Sequence, residues 1–428
     1  MITARHFLAR LGQIPLLRHL GLYITFNGLA AVFPLIALPV LTRQVSPDSY
    51  GVYGIFLVGV VLLMPLISVG IETAVARRFV DRGETDFRAY VSTAVILTLG
   101  LSLVALIVLN VLQSQLTKML PIPASWYSIW IIVAWGQVIS GLVLGLLQME
   151  RRPVAYGFWR VGRALLLNAA LLAFVMLGYR TWQGLVAAQF VAHSMFALYG
   201  LVWLVRSGYL GINWHAGELR PLLRYSLPLV PHMMSAAIIA ATDRLLLTNL
   251  MNESTAGIYT VGYQIAQIMF LISMSMNRAW TPWFYDAMKE GTAVSKRRAV
   301  IMGYGMAALL LFVGSGLGAV GWIALPLLVG PSYATATMVF IWIVAAFTAH
   351  GLFSLASSYL YFSGRTEWIS VATGIVTISN IGLTYWLIGL HGMVGAAQAT
   401  FLAYTMAFIF CLVLTIRLSA LPWSSAQN

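Results

Sequence analysis

The sequence Leu227-Pro228-Leu229-Val230-Pro231-His232 opens the stretch that decides the fold. An apolar run continues from it to Asp243-Arg244. After a short polar turn, Gly257-Ile258-Tyr259 begins a second apolar run that ends at Asn277-Arg278. Two apolar segments of about 20 residues joined by a few polar residues are typical of a helical hairpin that crosses a membrane. The stretch therefore predicts two membrane helices, with an Asp-Arg pair inside the first.

A related pattern occurs once before in the chain. Gly51-Val52-Tyr53 precedes Gly257-Ile258-Tyr259 by 206 residues, and Asn168 precedes Asn380 by a similar interval. Internal repeats of this kind are common in membrane transporters. The sequence therefore indicates that its two halves have the same basic architecture.

The composition is that of a membrane protein. Hydrophobic residues make up 60% of the chain and charged residues only 9%, whereas a soluble domain has roughly 25% charged residues. Residues 299–364 and 368–416 contain no Asp, Glu, Lys or Arg. Because every backbone amide must be satisfied inside the lipid, such long apolar runs form helices. The fold class predicted is an all-α polytopic membrane protein.

We predict twelve transmembrane helices, each an apolar run bounded by polar or charged residues, at 18–42, 51–74, 89–112, 126–149, 154–178, 183–205, 227–251, 257–282, 299–322, 333–361, 367–389 and 393–417. They form two six-helix bundles, one in residues 1–212 and the other in residues 213–428. Since each half has an even number of spans, both halves enter the membrane from the same side. Their pseudo-twofold axis then lies along the membrane normal.

The distribution of basic residues predicts the orientation. With the N-terminus in the cytoplasm, twenty of the 25 basic residues fall in cytoplasmic segments and three fall outside. The positive-inside rule then places both termini in the cytoplasm. Arg160 and Arg163 are counted among the cytoplasmic residues, although they intrude on the fifth span. This asymmetry explains the net charge of +13 without a nucleic-acid partner.

Motifs for catalysis or for a resident cofactor are not found in the sequence. It has no Walker loop, no His-Glu-x-x-His zinc pattern and no Gly-x-Ser-x-Gly elbow. The predicted loops are too short to hold a soluble catalytic domain. We therefore expect no catalytic residue, no metal site and no cofactor, and predict that the protein is not an enzyme.

Asp243 and Arg244 are the first candidates for a substrate-binding site. Both lie inside the seventh predicted span, and charges inside membranes usually face the bundle interior or a watery cavity. Neighbouring helix residues do not face one another, so each needs its own partner. The sequence leaves two interpretations open: a functional pair, or a structural ion pair between helices.

Arg278 and Asn277, near the end of the eighth predicted span, are the next candidates. One interpretation of Arg278 is a cation in an inward-facing vestibule that attracts an anionic head group. The other is an interfacial anchor, assisted by Trp280 and Trp283 as interfacial aromatic residues.

Glu72 and Arg77 complete the candidate substrate-binding residues. Glu72 lies near the inner end of the second predicted span, a few residues before Arg77 and Arg78. It either pairs with one of these arginines or faces the cavity. The sequence alone does not choose between the two.

Several short motifs resemble those of a known family, the polysaccharide biosynthesis flippases. These are the Wzx-type translocases of lipid-linked oligosaccharides, in the multidrug/oligosaccharidyl-lipid/polysaccharide (MOP) exporter superfamily. The similarity covers about residues 20–417, and the segments that carry it are Leu223–His232, Asp243-Arg244, Gly257-Ile258-Tyr259, Leu41-Thr42-Arg43, Tyr50-Gly51-Val52-Tyr53, Gly70, Arg77-Arg78, Asn380 and Gly392–Ala397.

The resemblance implies a MATE-like arrangement, with two six-helix bundles that form a V around a cationic cavity. It implies a flippase that moves an undecaprenyl-diphosphate-linked oligosaccharide, an O-antigen or exopolysaccharide repeat unit, from the inner to the outer leaflet by alternating access. The implied location is the bacterial inner membrane, as a monomer, with membrane lipids and the polysaccharide polymerase machinery as partners. Arg244 and Arg278 are the closest matches to the family's cavity cations; Arg18 and Arg43 match less closely.

Two other functions are alternatives to this one. A cation-coupled multidrug exporter of the same superfamily would need acidic residues in its cavity, whereas this chain has more intramembrane arginine. An integral-membrane glycan polymerase or acyltransferase would need a large outer loop, and the predicted outer loops are short. A proton or sodium gradient acting through Asp243 or Glu72, or removal of the product outside, could drive transport.

Overall fold

The computed structural model describes residues 15–83, 86–211, 215–419 and 421–422. Residues 1–14, with the first basic residues of the predicted cytoplasmic N-terminus, lie outside this part of the chain. The side chains of Arg18 and His232 are also outside it. All regular secondary structure in the described residues is helical.

The α-helices of the described chain follow one another with short connections. In chain order they are α1 (Pro15–Gln44), α2 (Pro47–Ser68), α3 (Ile71–Arg78), α4 (Phe87–Val111), α5 (Gln113–Met119), α6 (Tyr127–Met149), α7 (Pro153–Met176), α8 (Trp182–Arg206), α9 (Ala216–Ser226), α10 (Val230–Leu250), α11 (Glu253–Glu290), α12 (Ala293–Leu328), α13 (Ala336–Phe362), α14 (Thr366–His391) and α15 (Met393–Leu418).

Eleven helices in the described chain are long and apolar enough to cross a membrane. This confirms the prediction of an all-α, multi-pass membrane protein. Helix α10 has 21 residues; some of its side chains lie outside the described part of the chain, and it is not counted among the eleven. The total of twelve spans, their grouping into two six-helix bundles and the orientation stay predictions.

The chain divides into two compact units. The first contains the described residues of Val52–Ala241 together with those up to Val45, and the second contains Ser46–Gly51 with the described residues from Thr242 onward. The division falls inside α10. The domain boundary predicted after residue 212 stays a prediction.

In the first unit, α7 packs against α1 and α8, and α6 packs against α4 and α8. Small residues allow some of these contacts. A Cβ atom at Gly157 would lie 2.1 Å from the ring of Phe26, and one at Gly59 would lie 2.4 Å from Trp130. The indole nitrogen of Trp130 donates to the carbonyl oxygen of Phe56 at 2.7 Å. Close approach and side-chain hydrogen bonding therefore hold the helices of this unit together.

The second predicted span, 51–74, is shorter in the structure. Helix α2 ends at Ser68, and Val69 and Gly70 take left-handed backbone angles with φ of 47° and 75°. Glycine adopts such angles with little strain, and the amide of Gly70 donates to Ser68 Oγ at 3.2 Å. The chain therefore turns here, and Glu72 lies in the separate short helix α3.

In the second unit, α13 is central and packs against α11, α12 and α15, while α14 packs against α15. Helix α11 has 38 residues and α12 has 36, so both extend well beyond the predicted spans 257–282 and 299–322. The side chain of Asn252 caps α11 by accepting from the amide of Thr255 at 2.8 Å. That role explains why asparagine begins this helix.

Two glycines from the repeated motif meet in the second unit. A Cβ atom at Gly51 would lie 1.8 Å from the carbonyl oxygen of Glu253, and one at Gly257 would lie 2.0 Å from that of Pro47. The starts of α2 and α11 therefore touch backbone to backbone, an approach that glycine alone allows. The hydroxyl of Tyr50 donates to Gln264 Oε1 at 3.0 Å beside this crossing.

Corresponding helix pairs pack in the two units. In the first unit, α4 packs against α6, α6 against α8, and α7 against α8. In the second unit, the helices at the corresponding positions of the repeat also pack: α12 against α13, α13 against α15, and α14 against α15. The internal repeat of the sequence therefore has a counterpart in helix packing.

Candidate functional site

Asp243 is the buried centre of a hydrogen-bond network in the second unit. It is 3% exposed, and its carboxylate accepts from the hydroxyls of Tyr259, of Thr384 at 3.2 Å and of Thr400 at 3.0 Å. The donors lie on α11, α14 and α15. A buried carboxylate is tolerated when such partners replace its hydration. Asp243 therefore links four helices.

Asn380 extends this network. Its Nδ2 donates to Thr400 Oγ1 at 3.1 Å, and the side chain is fully buried. Its Oδ1 is buried without a hydrogen-bond partner among the described residues. We call Asp243, Tyr259, Asn380, Thr384 and Thr400 the Asp243 cluster. Carboxylate, amide and hydroxyl oxygens are the ligands that hard cations prefer, so the cluster is chemically suited to take up a proton or a hard cation.

Helix geometry explains how the chain assembles this cluster. Asn380 and Thr384 are four residues apart, so they lie on one face of α14. At the turn into α15, a Cβ atom at Gly395 would lie 2.0 Å from the carbonyl oxygen of Leu387. The two helices are therefore close together, and Thr384 and Thr400 reach the same carboxylate.

Arg244 takes partners different from those of Asp243. Its Nε donates to Thr260 Oγ1 at 3.2 Å, and its guanidinium carbon lies 4.5 Å from the ring centroid of Tyr263. This distance allows a cation–π interaction. The prediction that neighbouring charges need separate partners agrees with this geometry. Whether the pair acts in function or in structure alone stays open at this point.

Glu72 lies in the first turn of α3, where the partial positive charge of a helix N-terminus favours a carboxylate. A Cβ atom at Gly141 of α6 would lie 3.4 Å from its Cγ. The side chain is half-buried against this small residue. Glu72 therefore lies where α3 meets α6 in the first unit.

The two arginines that follow Glu72 pair with other carboxylates. Arg77 contacts Asp81 at 3.0 Å, with both side chains largely exposed, and Arg78 contacts Glu218 of α9 at 3.4 Å. The alternative in which Glu72 pairs with Arg77 or Arg78 is therefore not what the structure shows. Its other interpretation, a side chain that faces a cavity, stays a prediction.

Arg278 is exposed on α11 and makes no hydrogen bond or ion pair with the described residues. Its neighbour Asn277 is half-buried, and the Oδ1 atom is buried without a hydrogen-bond partner in the described chain. The helix continues to Glu290, so Arg278 lies well inside α11, and both interpretations of it stay predictions. Its guanidinium leaves this exposed face of α11 able to bind an anion.

Trp280 is not the interfacial residue that the sequence suggested. It is 4% exposed, and its indole nitrogen donates to Ser358 Oγ at 3.0 Å. Its ring stacks on Phe284 with centroids 5.2 Å apart. Trp280 therefore belongs to the packed interior of the second unit, in a buried cluster with Phe284, Ala299 and Val300.

The sequence did not identify the partners of Asp243. Thr384 and Thr400 are ordinary polar residues in long apolar runs, 141 and 157 residues away from the carboxylate. Asn380 was noted only as part of the internal repeat. The useful signal was the spacing of four residues between Asn380 and Thr384, which places two polar groups on one face of a membrane helix.

More than half of the chain matches a known protein family. The sequence pattern of the family described as polysaccharide biosynthesis protein matches residues 16–288. The chain belongs to the polysaccharide biosynthesis protein family. This match confirms the resemblance inferred from the motifs around Asp243 and Gly257.

Relatives and solved structures agree with this family. A protein of the Lsg locus of Haemophilus influenzae is 22% identical over 382 residues, which are 85% of this chain and 90% of that protein. An uncharacterized membrane protein of the same species is 22% identical over 286 residues, or 66% and 68% of the two chains.

Among solved structures, an inward-facing multidrug resistance MATE family transporter of the MOP superfamily aligns with TM-score 0.72. The identity is 17%, and the alignment covers 94% of this chain and 96% of that one. The lipid II flippase MurJ, in an inward closed conformation, aligns with TM-score 0.74 at 13% identity, over 92% and 87%. This member of the polysaccharide biosynthesis family therefore has the fold of MOP superfamily transporters.

Proposed function

We propose that the protein is a flippase that translocates an undecaprenyl-diphosphate-linked oligosaccharide, such as an O-antigen or exopolysaccharide repeat unit, from the inner to the outer leaflet. Membership of the polysaccharide biosynthesis family supports a role in glycan assembly. The fold shared with transporters supports transport rather than group transfer. The location that fits this role is the bacterial inner membrane.

One observation favours an anionic cargo over a cationic drug. Asp243 is the carboxylate deepest within a helix, and three hydroxyl donors enclose it. At 3% exposure it presents almost no surface to a cation the size of a drug molecule. Arg278, in contrast, is exposed and has no partner among the described residues. The accessible intramembrane charge of the second unit is therefore positive, which favours a lipid-linked diphosphate.

The chemistry of α11 suits a phosphate group. The guanidinium of Arg278 can form two parallel hydrogen bonds to phosphate oxygens. Asn277, whose Oδ1 is buried without a hydrogen-bond partner in the described chain, lies on a different side of α11 and is proposed as a separate contact. Arg244, whose guanidinium lies over Tyr263, is proposed as a second cation for the same substrate. Glu72 and Arg77 are proposed contacts in the first unit.

The finer architecture is part of this proposal. Helix α10, with 21 residues, would complete twelve spans in two six-helix bundles with both termini in the cytoplasm. The corresponding helix pairs that pack in each unit support a parallel repeat. Transport would then follow alternating access by a monomer, with membrane lipids around it and the polysaccharide polymerase machinery as the enzyme system that consumes its product.

The Asp243 cluster is the proposed coupling site. A deprotonated carboxylate accepts from all three hydroxyls, whereas a protonated one must donate through one oxygen. Uptake of a proton, or of a sodium ion by the same oxygens, would therefore change hydrogen bonds between α10 and three other helices. Coupling of this kind links an ion gradient to helix packing. Glu72 is the alternative coupling group, in the first unit.

The test uses cells that lack this gene, with the leaflet position of the lipid-linked glycan probed by a membrane-impermeant lectin. We expect the glycan to accumulate in the inner leaflet and the wild-type protein to restore its exposure. Arg278→Ala should restore little, because it removes the proposed diphosphate contact. Arg297→Ala, which removes an exposed cation at the start of α12, is the matched control and should restore exposure fully.

The same experiment distinguishes the other functions. Normal exposure of the glycan in cells without the gene would contradict the flippase. A glycan that reaches the outer leaflet but stays short or unmodified would indicate a polymerase or an acyltransferase. Loss of resistance to cationic drugs, with glycan exposure unchanged, would indicate a multidrug exporter.

A further inference from the structure

Helix α7 carries two arginines well inside its length. Counted from Pro153, Arg160 and Arg163 lie about 10 Å and about 15 Å along the helix, at 1.5 Å per residue. Both side chains are half-buried. The count of basic residues assigned them to the cytoplasmic side although they fall within the fifth predicted span, 154–178, and the structure has a helix there that is long and apolar enough to cross a membrane.

These two charges have no counterion nearby. The helices that pack most closely on α7 are α1, α6 and α8, and none of them contains an Asp or a Glu. Neither arginine makes a hydrogen bond or an ion pair within 15–83, 86–211, 215–419 and 421–422. The Nε atom of Arg160 is buried without any acceptor in that part of the chain. Two positive charges therefore face the same region of the first unit uncompensated.

The surface around these arginines is rich in hydrogen-bond donors. Tyr156, Arg160 and Arg163 follow the spacing i, i+4, i+7 and so share one face of α7. Tyr23 of α1 packs edge-on against Tyr156, with ring centroids 4.9 Å apart. The Tyr23 hydroxyl is buried and has no partner among the described residues.

The nearby acceptors are already used. Tyr156 donates its hydroxyl to Asn27 Oδ1 at 3.5 Å, and Asn27 Nδ2 donates to the carbonyl oxygen of Tyr23 at 2.8 Å. Two guanidinium groups and the Tyr23 hydroxyl are left without an acceptor. A site made of unused donors and unpaired positive charge is complementary to an anion with several oxygens.

Partial burial distinguishes these arginines from arginines on the open surface of the protein. A snorkelling arginine extends its head group to water at the membrane surface, whereas both side chains here are half-buried and the Nε of Arg160 is buried. Two like charges three residues apart also repel each other, and repulsion is stronger where water is scarce. Arginines inside a membrane protein normally line a cavity or pair with an opposite charge. Here the opposite charge has to come from a ligand.

We propose that Arg160, Arg163 and the Tyr23 hydroxyl form a phosphate-binding site in the first unit. Two guanidinium forks and one hydroxyl match the several oxygens of a phosphate or diphosphate group. The assignment of this ligand to the lipid-linked diphosphate rests on the proposed flippase function. The phosphate site itself rests only on the residues of α1 and α7.

The test measures binding of farnesyl diphosphate to the purified full-length protein in detergent by isothermal titration calorimetry. Farnesol, which has the same chain without phosphate, should not bind at this site. Arg160→Gln and Arg163→Gln should each weaken binding about tenfold or more, since each removes charge-assisted hydrogen bonds. Arg180→Gln is the matched control, because Arg180 is exposed just beyond the other end of α7, and it should bind as the wild type does.

Two further measurements show whether each variant is folded and whether the site prefers a lipid-linked diphosphate or a free one. Thermal unfolding of each variant shows whether it is folded, and Arg160→Lys and Arg163→Lys replace any glutamine variant that is not. Inorganic pyrophosphate serves as a competitor. If pyrophosphate fails to displace farnesyl diphosphate, the site is assigned to a lipid-linked ligand; if pyrophosphate displaces it at similar concentrations, the site is assigned to a free anion.

Wild-type affinity in both glutamine variants, or no binding of either diphosphate to the wild type, would overturn the phosphate site. This failure is separate from failure of the flippase. If the glycan crosses normally in cells without the gene, while binding still depends on Arg160 and Arg163, the phosphate site stands and the transport proposal falls. The reverse result would leave the transport proposal standing without this site.

Discussion

Substitution of Asp243 by leucine or asparagine separates two roles of its carboxylate. Leucine removes the acceptor from three hydroxyl groups, whereas asparagine keeps the shape and one acceptor oxygen but removes the charge. In the structure Tyr259 and Thr400 donate to Oδ2, and Thr384 donates to Oδ1. An asparagine with its oxygen at the Oδ2 position keeps the first two bonds, and the Thr384 hydroxyl can turn to accept from the new amide.

The structure sets the expected magnitudes. A hydrogen bond to a charged group contributes about 1.5–3 kcal/mol and a neutral one about 0.5–1.5 kcal/mol. Asparagine therefore loses about 3–4.5 kcal/mol over three bonds, offset by the smaller desolvation penalty of a neutral group. With leucine, Thr400 can still donate to the carbonyl oxygen of Ala396 at 3.4 Å. Tyr259 and Thr384 are left without the carboxylate, at about 1–3 kcal/mol each.

The sole cysteine provides the assay. Cys411 lies in α15 and is fully buried, so a thiol-reactive fluorescent dye reports when the second unit unfolds. Asp243→Leu should lower the unfolding temperature by roughly 4–24 °C, from about 2–4 °C per kcal/mol for a unit of 150–250 residues. Asp243→Asn should lower it by clearly less. Asp286→Asn makes the same change at an exposed position of α11 and should have no effect.

Two results would refute this reasoning. If Asp243→Leu unfolds at the wild-type temperature, the three hydroxyl bonds do not hold α10 to the other helices. If Asp243→Asn is as destabilising as Asp243→Leu, the charge rather than the number of acceptors determines stability. A stable Asp243→Asn protein that fails to restore glycan exposure would support the coupling role proposed for the carboxylate.

Three other predictions follow from the packing. Gly257→Ala should destabilise the second unit by about 1–3 kcal/mol through overpacking, because its Cβ would lie 2.0 Å from a carbonyl oxygen; Cys411 labelling on heating measures this. Trp280→Phe should lose the bond to Ser358 and about 0.5–1.5 kcal/mol, and Ser358→Ala should add little to it in a double-mutant cycle. Burial raises the pKa of Tyr209, and its hydrogen bond to Glu150 raises it further. The contribution of Tyr209 to the free energy of unfolding is fully present below pH ~10 and is lost as pH rises towards the folded-state pKa. Thermal unfolding between neutral pH and pH ~11 should therefore show a smaller alkaline loss of stability for Tyr209→Phe than for the wild type.

Much of the fold was accessible from the sequence because lipid leaves few alternatives. Uncharged runs such as residues 299–364 can only be helices in that environment, and the polar turn before Gly257 correctly separated α10 from α11. The break at Gly70 was missed, since one glycine in an apolar run does not reveal its backbone angle. The extension of α11 to Glu290 was missed because its last turns leave the apolar region, where hydropathy gives no signal.

The candidate site was only partly predictable for a different reason. The charge of Asp243 inside an apolar run is visible in the sequence and predicts a buried partner or a ligand. The identity of that partner depends on which helix faces meet, and Thr384 and Thr400 resemble many other hydroxyl residues in the chain. Arg160 was counted as cytoplasmic although the fifth predicted span, 154–178, already contained it, and the helix found there, Pro153–Met176, agrees with that span.

The repeat illustrates a further limit. Gly51 and Gly257 were recognised as corresponding residues in the two halves, but nothing in the sequence indicated that they touch one another's helices. That contact depends on the crossing of α2 and α11 at their first turns. Sequence symmetry identifies equivalent positions, and three-dimensional packing decides which of them meet.

The most direct test of the flippase is reconstitution of the purified protein into liposomes that contain an isoprenoid-diphosphate-linked glycan in both leaflets. A glycosidase added outside digests only the glycan in the outer leaflet. The proposal predicts that digestion proceeds past the outer-leaflet half in vesicles with the wild-type protein, and much more slowly with Arg278→Ala. Digestion that stops at the same half as in protein-free vesicles would contradict it.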